Sequence, residues 1–112
     1  MFGLTQSHRY YLYQGVADMR KGFNGLSGIV MDQMGSNPLD GSVYIFINRR
    51  RNRMKILLWE NTGFLMYYKR LERGTFELPS SAESGISWET LMLILSGISL
   101  KRIVKRKRYR RA

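Results

Sequence analysis

The chain has 112 residues, and 19 Lys and Arg against 8 Asp and Glu give it a formal net charge of +11. That length suits one domain, and a chain that is 44% apolar and 12% aromatic is too hydrophobic to be disordered. The absence of cysteine excludes a disulfide framework, a thiolate zinc site and a thiol nucleophile, and a single histidine, His8, excludes a multi-histidine metal centre.

The start of the chain alternates polar and aromatic residues and lacks the continuous apolar core of a signal peptide. The longest apolar stretch, residues 91–100, is interrupted by Ser96, Gly97 and Ser99, far short of the roughly 20 residues that span a bilayer. A soluble, cytoplasmic protein without a membrane partner is expected.

In chain order, Tyr10 to Gln14 has strand composition and stops at Gly15. Asp18 is placed to cap a helix, and Met19, Phe23, Leu26, Val30 and Met34 recur at helical spacing, which predicts one amphipathic helix over 19–34. Gly22, Gly25 and Gly28 lower its propensity and predict a face packed closely on something. Residues 35–41 read as a loop. Three strands follow, over 42–48, 54–60 and 64–72, joined by the cationic connection 49–53 and by Asn61-Thr62-Gly63, a three-residue hairpin loop with Gly in the left-handed position. A last short strand is expected over 75–78, ended by Pro79. Ser87 caps a second helix from Trp88 to about Ser96, with Leu91, Ile94 and Leu95 on its apolar side.

The expected fold is therefore α+β: an antiparallel β-meander of four to five strands, with one helix before it and one after. It forms a single domain over residues 1–100, followed by a basic tail over 101–112. Pairing the hairpins about their loops sets Phe46 against Ile56 and Tyr68, and Lys55 against Lys69. Both faces of that sheet are apolar, and two short helices are expected to cover only one. A homodimer, or a complex with another subunit, would cover the other.

The charge is unevenly placed. Lys101, Arg102, Lys105, Arg106, Lys107, Arg108, Arg110 and Arg111 give the tail +8, leaving +3 for residues 1–100. Such a run binds phosphate backbones without sequence preference, and it also resembles a solubilising tail. Arg49, Arg50, Arg51, Arg53 and Lys55 crowd one hairpin tip, where they repel one another unless an anion is near. Lys69, Arg70 and Arg73 extend that surface in the expected register. Nucleic acid, specifically DNA, is the partner this pattern points to; a solvated turn is the plainer alternative. No catalytic residue, metal site or cofactor is expected, because Asp18, Glu60 and Glu72 are spaced for no metal cluster and no Walker lysine follows the glycines. Asp18 is explained as a helix cap and Glu72 as the partner of a neighbouring arginine.

Residues 15–26 (GVADMRKGFNGL), 55–59 (KILLW), Gly63-Phe64 and 68–76 (YKRLERGTF) form a recognisable set. Together they resemble the small TnpB-like accessory protein of the bacterial insertion-sequence sixty-six family, the product of its second open reading frame. Glu60-Asn61 stands where that pattern often has Asp. The resemblance implies a non-enzymatic accessory role in transposition beside a separate transposase that carries the catalytic acids. It marks Asp18, Arg20, Lys21, Gly22, Phe23 and Glu72 as motif positions, without assigning them a role. Two functions are expected from these observations: DNA binding through the basic hairpin and tail, or an adaptor that docks the transposase or another element-encoded subunit through an apolar sheet face.

Overall fold

The computed structural model describes residues 3–79 and 84–97. The elements run β1 (Tyr10–Leu12), α1 (Phe23–Asp32), β2 (Val43–Ile47), β3 (Arg53–Glu60), β4 (Gly63–Arg70), β5 (Gly85–Ile86) and α2 (Trp88–Leu95). The strands form one sheet in the order β4-β3-β2-β1-β5. β2, β3 and β4 are the expected antiparallel hairpins, but β1 lies parallel to β2 and β5 is antiparallel to β1. The sheet is thus mixed rather than a meander. α1 does not precede it but forms the crossover between β1 and β2, since parallel neighbours need a connection that returns the chain to the same end.

The crossover also corrects the expectation of an uncovered sheet face. Tyr44, Phe46 and Leu57 pack with Leu26, Ile29 and Val30 of α1 on one side. Val43, Ile45, Ile47, Met54, Ile56 and Leu58 pack with Leu91, Ile94 and Leu95 of α2 on the other. Each face has one helix, which is why β2 is apolar at every position and buried throughout. α2 starts where the sequence places it, with the Ser87 hydroxyl accepting the Thr90 N–H at 3.1 Å.

Both hairpins are one residue tighter than expected. The Asn48 side-chain oxygen accepts the N–H groups of Asn52 (3.1 Å) and Arg53 (3.0 Å), so Ile47 pairs with Met54. Asn61, not Gly63, takes the left-handed conformation (φ 50°), and Glu60 pairs directly with Gly63. One slip on each side turns β3 over relative to its neighbours. Phe46 therefore faces Lys55 and not Ile56, and Lys55 faces Tyr68. Lys55 and Lys69 are on opposite faces, and the like-charged cross-strand pair is Arg53 with Arg70.

Three local expectations also change. Gly22, rather than Asp18, occupies the N-cap of α1, with no side-chain capping bond. A Cβ at Gly22 or Gly28 would meet nothing within 4 Å, whereas one at Gly25 would meet the Lys21 side chain at 3.0 Å, so of the three glycines only Gly25 is closely approached. Residues 75–78 are not a strand; they cross the end of the sheet, with Phe76 buried to 1% exposure in the α2-side core. Truncating such a ring costs about 3–5 kcal/mol. Phe76→Ala is expected to lower the urea midpoint by that amount of stability, more than any single change among the exposed arginines.

Candidate nucleic-acid interface

Motif blocks 15–26 and 68–76 meet the basic turn at one end of the sheet, whereas Gly63-Phe64 opens β4 at the other. The loop after β1, the turn between β2 and β3 and the segment after β4 share that end, because β1, β2 and β4 all finish there and β3 begins there. Every described Lys and Arg except Arg9 lies at this end or reaches it, whereas Asp32, Asp40, Glu60 and Glu89 lie at the other.

The basic turn is held by its backbone. Arg51 donates its N–H to the Asn48 carbonyl (3.0 Å), and the Asn48 amide donates to the Asn52 side chain (2.8 Å). The segment after β4 then folds over the tip. Leu71 N–H donates to the Asn52 carbonyl at 2.8 Å, and Phe76 N–H donates to the Arg51 carbonyl at 2.6 Å. Gly74, at φ +71°, turns the chain between those two bonds. Four arginines in a short loop would splay apart in water; these bonds fix the backbone that carries them.

Arg51 itself sits at φ 56°, in the left-handed region where a side chain is strained and Gly is not. Nothing among the described residues bonds its guanidinium, so the strain is not offset by a contact of that side chain.

The hydrogen bonds sort the cations into two groups. Lys55 is only 7% exposed; its ammonium donates to the carbonyls of Met19 (2.9 Å) and Lys21 (2.8 Å) and lies 5.0 Å from the Tyr68 ring centre. A buried ammonium is tolerated only when its donors are satisfied. Here it ties the loop before α1 to β3 and has no part in the exposed surface. Lys69 Nζ donates to the Leu95 carbonyl at the end of α2. Arg20 pairs with Asp18 at 2.8 Å, and Arg70 with Glu72 at 3.0 Å, as expected for Glu72. The Arg20 guanidinium and backbone N–H hold the Asp18 carboxyl down to about 2, so that turn keeps its charges through the ordinary pH range. Arg53 reaches the Tyr68 hydroxyl at 3.4 Å.

Lys21, Arg49, Arg50, Arg51 and Arg73 are exposed, with no side-chain partner among the described residues. Of the remaining motif positions, Gly22 is the open cap, and Phe23 is 46% exposed and stacked on Phe64 with 6.3 Å between ring centres. The tail residues 101–112 lie outside the described part. The last described residue, Gly97, lies near Leu71 at the cationic end. No group of three or more His, Cys, Asp and Glu among the described residues could hold a metal ion, and no described helix is long and apolar enough to cross a membrane.

The geometry defines a small α+β protein with a clamped, cationic sheet end. Residues 8–105 match the family model described as IS66 Orf2 like protein, and the chain belongs to that family of transposition accessory proteins. It is 38% identical over 96 residues to the uncharacterized protein y4hO of Sinorhizobium fredii (strain NBRC 101917 / NGR234), covering 83% of each chain. It is 29% identical over 113 residues to the uncharacterized protein y4jC of the same strain, covering 99% of this chain and 96% of the relative. No solved structure matches.

Two substitutions separate the clamp from the charges. Arg51→Gly relieves the left-handed strain while adding the entropy cost of glycine, each about 1 kcal/mol; its melting temperature is expected to stay at or above that of the parent. Lys55→Met leaves two carbonyls without a donor and is expected to cost about 1–3 kcal/mol in chemical denaturation. Because Lys55 is itself inside, any flattening of the salt dependence of DNA binding should not exceed the one contact, about 0.9, of Lys21, whose loop it holds.

Proposed function

We propose that the protein is a non-enzymatic accessory factor in insertion-sequence transposition and that it binds DNA phosphates through the clamped end of its sheet. The observation that carries this reading is the exposure of Lys21, Arg49, Arg50, Arg51 and Arg73 without protein partners, on a backbone held by the Leu71 and Phe76 N–H groups. Arginines on a backbone already held in place can meet phosphate bidentately without the cost of ordering the loop. Arg53, Arg70 and Arg20 lie beside this set as a partly neutralised rim, while Lys55 and Lys69 serve the fold. The tail, residues 101–112, adds phosphate contacts that carry no sequence information.

An adaptor role is the second reading. No bare sheet face supports it, since each face carries a helix. What favours it now is a smaller strip beside the outer strand β4, where Phe23 is 46% and Tyr68 52% exposed. A transposase or another element-encoded subunit would dock there, and a second copy of the chain could use the same strip.

Titrating duplex DNA at several salt concentrations tests the first reading. Replacing Arg49, Arg50 and Arg73 by Ser and Arg51 by Gly should flatten the plot of log affinity against log salt by about 0.9 for each phosphate contact removed. The fold should be retained, since exposed changes cost about 0.5 kcal/mol or less each. Retained melting with an unchanged slope would leave these arginines as a solvated turn.

A further inference from the structure

Beside the basic turn lies a cleft of about 550 Å³, between the loop after β1, the turn after β2 and residues 78–79. That volume is within the range of small-ligand sites, roughly 300–1,000 Å³. It opens at the carboxyl ends of the parallel strands β1 and β2, the end of a β-α-β unit where loops leave crevices. Leu12, Ile47 and Leu78 give it an apolar floor, and Val16, 53% exposed, stands at its edge. Arg49 and Arg51 line it as well, and neither guanidinium is bonded to another described residue. Arg50, between them in sequence, does not line it.

An apolar floor under two unpaired guanidiniums matches a flat base joined to a phosphate. We propose that this cleft takes one unpaired nucleotide of a DNA strand, with its phosphate on Arg49 and Arg51 and its base against Leu78 and Ile47. This rests on the DNA-binding reading and extends it from phosphate contact to a preference for particular DNA ends. A paired base stays in the stack and cannot enter; a base at a frayed or single-stranded end can. The left-handed strain at Arg51 fits the same picture, because its side chain lines the cleft.

The test compares a blunt duplex with the same duplex carrying a short 3′ single-stranded overhang, using fluorescence anisotropy and the full chain. Binding to the overhang probe should be stronger by about fivefold, the lower end of what one seated base contributes. Val16→Trp fills the cleft from an exposed position. It should abolish that preference while leaving blunt-duplex affinity within about twofold, which also reports that the variant is folded. Millimolar deoxyadenosine monophosphate should erode the preference more than the blunt-duplex binding, which keeps its contacts to Lys21, Arg50 and Arg73. Equal affinity for both probes, or a preference that survives Val16→Trp, overturns the cleft proposal and leaves the DNA-binding reading intact. Free nucleotide bound at micromolar concentration, with no effect of overhang DNA, overturns a DNA strand as the ligand. Failure of both DNA probes to bind overturns both readings.

Discussion

The backbone clamp on the 48–53 turn is the constraint on which the cationic end depends. Two carbonyls of that turn, those of Arg51 and Asn52, accept N–H groups from the segment after β4, and a third set of bonds comes from the Asn48 side chain. The clamp holds only if Phe76 is buried, because its ring anchors the amide that reaches Arg51. Mutual repulsion among the arginines is thereby opposed by backbone hydrogen bonds and apolar burial rather than by acids. The charges stay free for an external anion.

A parallel economy operates one loop away. Lys55 sits in the middle of an apolar strand, and its ammonium is consumed by the Met19 and Lys21 carbonyls. The loop before α1 leads into a helix without a side-chain cap, whose first turn takes the Lys21 side chain against Gly25. Tying its carbonyls to β3 fixes where Arg20 and Lys21 emerge. The motif blocks far apart in sequence are therefore parts of one structure: a lysine inside β3 positions one loop, and the amides after β4 position another.

Much of this was legible in the residues, and the failures have physical causes. α2 and its Ser87 cap followed from helical periodicity, and β2, β3 and β4 from their apolar and β-branched composition. The register failed by one residue on each side of β3, because composition does not reveal that Asn48 closes its turn by side-chain bonds or that Asn61 takes the left-handed position Gly63 was expected to hold. That slip produced a false Lys55–Lys69 pair. β1 has three residues, too few to show that it pairs in parallel, so composition alone places α1 before the sheet and leaves one face bare. The basic residues were visible as a list; which were spent and which were free was not. One signal was available: a lone lysine flanked by Met54 and Ile56-Leu57-Leu58 in a strand is poorly placed to meet solvent.

Amide hydrogen exchange of the full chain, with and without duplex DNA at low salt, measures the central claim directly. Protection is expected in residues 18–22, 48–53 and 69–76 together, since these segments form one clamped surface, and it should fade as salt is raised. Protection confined to Phe23 and residues 64–68, with the turn unchanged, would contradict it and assign the apolar strip beside β4 as the working surface.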